Sequence, residues 1–374
     1  MSEPGVDRPA DRGAGAPSPQ HDDTDDLAMA EAPRRGAGKR ITALVHSRVG
    51  VIVLVVAIFF AMWLLGGAQP VATRQLLTLA VWGVMLGGVL ALGSIGLTLI
   101  YGVLKFPNFS HGALVAIGAY TAFAVMAVLP EGPRLGPFSF GWEFLAALVV
   151  AMPVVGLVAL AVDRVIYRRL RNQNAALVLF AMASLGMAFF LRSGIYMIWG
   201  PDFHFFYQGR PNPALNLPFN VRVQADQLFI LALALALVLL VYLLLTRTRM
   251  GKAMRATADN PQLAQVRGID TERVIAWTWV LSGALAAAGG AMYGLTSQLR
   301  PEMGFWLLLP MFAGTIMGGI GSPLGALVGA MIIGIVTQMS AAFLNPAYGP
   351  AIAFILMIVM LILRPQGLFG KPGG

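Results

Sequence analysis

Short polar side chains interrupt a long apolar stretch in the first third of the chain, and they could hydrogen-bond a solute inside a membrane. They are Ser94, Thr98, Asn108, Ser110 and His111. Polar groups at membrane depth need hydrogen-bond partners and often mark a pathway. The alternative is hydrogen bonding within a helix bundle, because Ser and Thr can bond the preceding helical turn. We therefore treat these five residues as a candidate pathway.

A second polar segment, Gly251–Asp270 (GKAMRATADNPQLAQVRGID), forms a basic island between two apolar runs. Asn260 and Pro261 have the chemistry of a helix start, and Gly268 offers a left-handed stop. These signals predict a short helix, Pro261–Arg267. A short amphipathic helix suits the groove of a soluble partner. An ordinary surface loop is the alternative.

Motifs for other kinds of chemistry are absent from the sequence. The chain has no cysteine, which removes disulfides, thiolate zinc sites and Cys nucleophiles. The four histidines are scattered at positions 21, 46, 111 and 204, so we predict no metal site. No GxxxxGK[ST] phosphate loop is present. We expect no cofactor and no enzymatic activity, so the chain itself should break no covalent bond.

The elements that must position these residues are apolar helices. The chain has 374 residues, of which 57% are hydrophobic and 11% charged, whereas a soluble domain carries about 25% charged residues. Apolar runs of about 20 residues are long enough to cross a bilayer as helices. We count ten such segments: 49–67, 76–104, 109–129, 141–166, 174–199, 226–246, 272–298, 306–321, 323–344 and 348–364. This pattern predicts an all-α integral membrane protein, a polytopic helical bundle of about ten spans.

Two short segments break the apolar pattern near opposite ends of the chain. Leu104–Gly112 (LKFPNFSHG) and Gly318–Gly325 (GGIGSPLG) contain polar and helix-breaking residues. Irregular backbone at membrane depth is tolerated only where it is buried in protein or lines a cavity. The breaks therefore predict broken or re-entrant helices, with two tight turns as the alternative.

The distribution of charge predicts the domain organisation and the orientation. Residues 1–31 carry a net charge of −6 and the remainder +15. Residues 1–40 are rich in Pro, Gly and Ala, so we expect a disordered cytoplasmic tail before a transmembrane domain over 41–374. If ten helices alternate, eighteen Lys and Arg residues fall on one side and five on the other. This asymmetry places both termini and the 247–273 loop in the cytoplasm and does not indicate nucleic-acid binding.

Several stretches resemble one family. The island Gly251–Asp270 is similar to the cytoplasmic coupling loop of the branched-chain amino-acid ABC permeases. Ala91–Tyr120 resembles the family's signature, and Met197–Asp202 (MIWGPD) resembles its pattern at the end of a span. Gly318–Gly334 and Leu363–Gly370 (LRPQGLFG) resemble its C-terminal pattern. The likeness covers roughly residues 76–370, with departures from the usual signature at Pro107, Ser110 and Ala113.

The resemblance implies a permease subunit of an ATP-driven importer for branched-chain amino acids or related small amino acids or amides. It implies ABC ATPase subunits, a second permease subunit, a solute-binding protein and a bacterial cytoplasmic membrane. The residues expected to couple to the ATPase are Arg255, Asp259, Asn260, Pro261, Leu263, Val266, Arg267 and Gly268. A facilitator or channel that moves a small polar solute without ATP is the alternative. The membrane interior is poor in the ionisable groups that ion coupling requires.

Overall fold

The computed structural model describes residues 73–207, 214–217 and 221–370. The predicted tail over 1–40 and the first apolar segment, 49–67, lie outside the described residues. The α-helices are α1 Thr73–Leu104, α2 His111–Val128, α3 Trp142–Val162, α4 Arg168–Asn172, α5 Leu177–Trp199, α6 Ala225–Arg247, α7 Arg249–Asp259, α8 Pro261–Val266, α9 Thr271–Thr296, α10 Met303–Gly318, α11 Pro323–Ser340 and α12 Gly349–Leu363. Two short turns of helix are a π-helix over Asp163–Tyr167 and a 3-10 helix over Pro346–Tyr348.

The helices match the predicted apolar segments closely. Within the described residues, eight helical stretches are long and apolar enough to cross a membrane, and the shorter α10 is a ninth apolar helix. The prediction of an all-α polytopic bundle is therefore confirmed. The main difference lies at the end of α3, which continues through the π-helix into α4 and stops at Asn172 rather than near residue 166. Ion pairs made by the arginines of α4 support this extension beyond the apolar run.

The first predicted break is an irregular segment buried inside the bundle. Helix α1 ends at Leu104, Lys105 adopts a positive φ of 59°, and α2 begins only at His111. The ring of His111 lies against Gly96, and Gly96 is about 12 Å along α1 from Leu104 at 1.5 Å per residue. Helix α2 therefore starts well inside the bundle, which is the arrangement of a broken helix.

The second break is a tight turn between α10 and α11. Gly319 and Gly321 have φ values of 102° and 85°, which favour glycine, and the Ser322 side chain caps α11. The backbone N–H groups of Leu368 and Phe369 donate to carbonyl oxygens near the end of α10. This turn is therefore fixed by the segment that follows α12.

Helix α1 is central to the bundle, and it packs closely against α11 because glycines line the contact. A Cβ atom added at Gly83 would lie 2.6 Å from the Cα of Ile335, and one added at Gly87 would lie 2.8 Å from the Cα of Met331. Small residues at such positions let helix backbones approach, which favours association in membranes.

The two ends of the bundle carry different connections. One end, here the loop end, carries the segment 248–270 with α7 and α8. The opposite end, the hairpin end, carries an antiparallel pair of strands, β1 Ala214–Leu217 and β2 Val221–Gln224. Val223 of β2 is buried with Met85 of α1, so the hairpin packs directly on the central helix.

Candidate coupling surface and buried polar cluster

The segment at the loop end folds into two capped helices. The Thr248 hydroxyl accepts a hydrogen bond from the Gly251 N–H at 3.0 Å and caps α7. The Asn260 side chain accepts from the Leu263 N–H at 2.9 Å, and Pro261 occupies the first helical position of α8. The sequence predicted α8 but not α7, and α8 ends at Val266, one residue before the predicted end.

The end of α8 is defined by Gly268. Its φ of 79° is left-handed, and its N–H donates to the carbonyl oxygen of Gln265 at 2.9 Å. The N–H of Ile269 donates to the carbonyl oxygen of Ala264 at 3.0 Å. Because these bonds turn the chain sharply after two helical turns, α8 stands as a short separate element between α7 and α9.

The apolar side chains of α8 divide between the protein and its surroundings. Ala264 is 4% exposed, whereas Leu263 is 56% exposed and Val266 84% exposed. Two exposed aliphatic side chains thus lie about one helical turn apart on α8. Basic residues around them are exposed as well: Arg247, Arg249, Lys252, Arg255, Arg267 and Arg273. We refer to these exposed side chains, together with exposed Asp259, as the coupling surface (residues 247–273).

The coupling surface is tied to the end of α3 by polar contacts. The Gln265 amide donates to the Thr271 hydroxyl at 2.8 Å. The next residue, Glu272, pairs with Arg168 at 3.1 Å and with Arg171 at 3.6 Å. Arg171 also makes a two-pronged ion pair with Asp163, at 2.6 and 3.2 Å. Asp163 opens the π-helix, so the ion pairs reach into the body of α3.

The π-helix places Tyr167 against the first break. Asn108 Oδ1 accepts hydrogen bonds from the Ser110 hydroxyl at 2.6 Å and from the Tyr167 hydroxyl at 3.4 Å. The Tyr167 ring stacks on Trp279 of α9 with centroids 5.0 Å apart. π-Helical turns often occur at functional sites. The sequence analysis missed Tyr167 and Trp279, because no motif near either residue indicates that Tyr167 bonds Asn108 or that Trp279 stacks on Tyr167.

His111 is enclosed at the same level of the bundle. Its Nδ1 atom lies 3.4 Å from the Ser282 hydroxyl, which donates to the carbonyl oxygen of Gly96 at 3.0 Å. Several buried nitrogens of this cluster, among them Asn108 Nδ2 and Trp279 Nε1, have no hydrogen-bond partner among the described residues. Buried polar atoms without partners are uncommon, and each calls for an explanation such as a functional role.

Ser94 and Thr98 lie apart from this cluster and join α1 to α10 and α11. The Ser94 hydroxyl donates to the carbonyl oxygen of Met311 at 2.9 Å. The Thr98 hydroxyl accepts from the Gly321 N–H at 2.9 Å, at the turn between α10 and α11. The structure thus brings Asn108, Ser110 and His111 together and places the other two candidates along α1. Their role in a pathway stays a prediction.

No group of three His, Asp or Glu side chains that could hold a metal ion occurs in the described parts of the chain. The coupling surface offers apolar and basic contacts, and the buried cluster offers hydrogen bonds.

The chain matches the family model described as branched-chain amino acid transport system permease component over residues 79–361. It is 32% identical over 295 residues to the high-affinity branched-chain amino acid transport system permease protein LivH of Escherichia coli, covering 78% of this chain and 94% of that protein. It is 30% identical over 301 residues to the permease protein BraD of Pseudomonas aeruginosa, covering 78% and 94%.

An archaeal relative shows similar agreement. The probable branched-chain amino acid transport permease protein LivH of Methanocaldococcus jannaschii is 30% identical over 303 residues, covering 77% of this chain and 90% of that protein. No solved structure matches the chain significantly. The family model takes in every apolar helix that the structure describes, from α1 almost to the end of α12, so the chain belongs to the branched-chain amino-acid ABC permease family.

Proposed function

We propose that this chain is the membrane permease subunit of an ATP-driven ABC importer for branched-chain amino acids or related small amino acids or amides. The observation that carries the proposal is the exposed pair Leu263 and Val266 on a capped helix, in a chain that matches the permease family over most of its length. ATP hydrolysis takes place on a separate subunit. Nothing in the comparisons favours a facilitator that works without ATP.

The coupling surface is the docking site for the ATPase subunit in this proposal. Burial of Leu263 and Val266 in a groove would remove apolar area from water, and helix-in-groove recognition uses such anchors. Basic residues around the anchors would steer an acidic partner surface and orient it. The positive-inside distribution of Lys and Arg supports a cytoplasmic position for this surface and for both termini, in a bacterial cytoplasmic membrane.

Movement of the docked helix could reach the first break through contacts that form one continuous series. Gln265 bonds Thr271, Glu272 pairs with the arginines of α4, and the π-helix carries Tyr167 to the hydroxyl of Ser110. Continuous contacts of this kind can carry energetic coupling between two sites. ATP-driven closure of the ATPase subunits would pull on this series and change the packing around α2.

The remaining partners follow from the same proposal. A solute-binding protein would deliver the amino acid at the hairpin end, and a second permease subunit, identical or homologous, would complete the membrane unit. Helix α5 exposes large apolar side chains along its length, including Val178, Met182, Phe190 and Met197. This face suits the lipid bilayer and the second subunit. The pathway is proposed to include Ser94, Thr98, Asn108, Ser110 and His111, which are all enclosed in this conformation.

Affinity purification of the chain from its own membranes in mild detergent tests the proposal. We expect mass spectrometry to identify a copurifying ATPase subunit with a phosphate loop. The purified complex should then accumulate radiolabelled leucine in proteoliposomes only when ATP is supplied. Recovery of the chain alone, active without ATP, would overturn the proposal in favour of a facilitator.

A further inference from the structure

Arg192 is a partly buried charge well inside a membrane-crossing helix. It lies seven residues before Trp199, the last residue of α5, and therefore about 10 Å from the hairpin end of that helix at 1.5 Å per residue. Among the described residues Arg192 takes part in no ion pair. A charge at this depth is costly, and such residues usually face a pathway or the bundle interior and have a specific partner. The position therefore calls for an anion.

The side chain of Arg192 points away from the nearer end of its helix. Helical side chains lean toward the N-terminus of their helix, and α5 begins at the loop end, shortly after α4. The guanidinium carbon accordingly lies over the ring of Phe189, one turn further in, at 5.0 Å from the ring centroid. An arginine near a helix end often extends to the membrane surface instead, where lipid phosphates lie. The observed orientation takes the charge away from those phosphates.

Arg192 lines a narrow groove between α2, α5 and α10. Most of the other lining residues are apolar, among them Phe109, Ala113, Ala188, Phe189, Phe305 and Leu308. The groove has a volume of about 20 Å³ in this conformation, which is room for a single water molecule. The guanidinium is therefore poorly hydrated, and a poorly hydrated charge interacts strongly with an opposite charge.

The groove is continuous with the first break. Phe109 lies between two residues of the candidate pathway, and its N–H donates to the Ser184 hydroxyl of α5 at 3.1 Å. Ala188 and Arg192 follow Ser184 at intervals of four residues, so the three side chains lie along one face of α5. A solute that left Arg192 along this face would therefore reach the break and its buried polar cluster.

The chemistry of the groove matches a small carboxylate with an apolar part. A guanidinium stays charged inside a protein and binds a carboxylate through two parallel hydrogen bonds. The side chains of Phe305 and Leu308 can pack against an aliphatic group beside it. Leu185, Phe189 and Phe305 are each more than two-fifths exposed, so the groove opens on the outer face of the bundle.

We propose that Arg192 is a specificity-determining residue, which binds the carboxylate of the transported solute on its way from the hairpin end to the first break. The inference rests on the proposed function, because it assumes that the chain transports a solute with a carboxylate. It adds the residue that recognises this group and the groove in which recognition takes place.

The absence of cysteine from the chain allows a binding test that does not depend on transport. Ala188→Cys places the only thiol of this subunit in the groove, one turn from Arg192. The complete transporter in lipid nanodiscs is treated with a small, neutral methanethiosulfonate reagent, and the rate of modification is measured as leucine is added. The control is Tyr348→Cys, at an exposed position outside the groove.

We expect leucine to slow the modification of Ala188→Cys. The analogue 4-methylpentanoate, which keeps the carboxylate and lacks the amine, should slow it as well, whereas leucinol, which lacks the carboxylate, should not. Adding Arg192→Gln should raise the leucine concentration needed for protection by about tenfold or more, because charge-assisted hydrogen bonds are lost. Arg192→Lys keeps the charge without the two-pronged geometry and should raise it by about threefold. Tyr348→Cys should react at one rate throughout.

Absence of protection by leucine, equal protection by leucinol, or unchanged protection in Arg192→Gln would each overturn the proposal. Failure of the Ala188→Cys thiol to react, with or without ATP, would also overturn it, because water would not reach the groove. Loss of the second permease subunit from the Arg192→Gln complex would overturn it too, since the guanidinium would then pair with a carboxylate of that subunit. ATP-driven leucine uptake without carboxylate-dependent protection would refute this inference alone. Carboxylate-dependent protection in a complex that takes up no leucine would refute the proposed function and leave the site at Arg192 standing.

Discussion

Replacement of Leu263 by aspartate tests the coupling surface, because more than half of this side chain is free to contact a partner. Leu263 is 56% exposed, and complete burial of a leucine contributes about 1.5–3 kcal/mol. Docking can therefore gain about 1–1.5 kcal/mol from this residue. An unpaired carboxylate in the same interface adds a cost of about 1–3 kcal/mol. The sum is about 2–4.5 kcal/mol, and at 1.4 kcal/mol per factor of ten it predicts an affinity for the ATPase subunit about 30- to 1,600-fold weaker.

The assay titrates purified ATPase subunit onto the permease in lipid nanodiscs and measures ATP-driven uptake in parallel. The unfolding temperature of the variant should equal that of the wild type, since exposed substitutions usually change stability by less than about 0.5 kcal/mol. Leu263→Met keeps the apolar contact and should retain affinity within about threefold. Asn174→Asp adds a negative charge at another exposed position of the loop end and should also have little effect.

Wild-type affinity and uptake in Leu263→Asp would refute docking at α8. A fall of several degrees in the unfolding temperature would refute the other half of the reasoning, which holds that the side chain does not support the fold.

The remaining predictions concern packing, ion pairs and the tail. Gly290→Ala should lower the free energy of unfolding by about 1–3 kcal/mol, because the added Cβ atom would collide with a backbone carbonyl oxygen of α2. In the control variant Gly186→Ala the added Cβ atom has no neighbour within 4 Å, so the protein should not be destabilised. Asp163→Asn should lower the free energy of unfolding by about 1–3 kcal/mol, because it leaves the largely buried Arg171 without its main partner. Glu272→Gln removes a half-exposed ion pair and should lower it by less than about 1 kcal/mol. Removal of residues 1–40 should leave membrane insertion and uptake intact, because every predicted apolar segment lies after residue 48.

Thermal unfolding in detergent measures the first two contrasts, and fractionation with an uptake assay measures the third. Equal stability of the two glycine variants would contradict the close approach of α9 and α2. If Asp163→Asn were as stable as Glu272→Gln, the ion pair between Arg171 and Asp163 would not be what stabilises the extended end of α3. Loss of insertion on truncation would contradict the view of the tail as dispensable.

The amino-acid sequence alone determined the class of protein and the positions of its helices. Nine of the ten predicted apolar segments correspond to helices that the structure describes, because a span needs a continuous apolar run and little else. The start of α8 was also predicted from the sequence, since Asn260 caps the helix and Pro261 fits its first position, and both effects depend only on neighbouring residues. Both breaks were predicted as well, from proline, glycine and polar residues that act locally.

Tertiary structure decided which side chains meet and which remain exposed. The orientation of α8 was not set by its own pattern: the surrounding helices bury Ala264 and leave Leu263 and Val266 exposed. Asn108 accepts a hydrogen bond from Tyr167 of the π-helix, 59 residues further along the chain. The ring of Tyr167 in turn stacks on Trp279 of α9, another 112 residues along the chain. In the same way, one cavity at the hairpin end is lined by residues of α1, α6, α9 and α11, which are distant in sequence. Backbone preferences and hydropathy depend on neighbours in the chain, whereas cavities and buried hydrogen bonds depend on how whole helices pack.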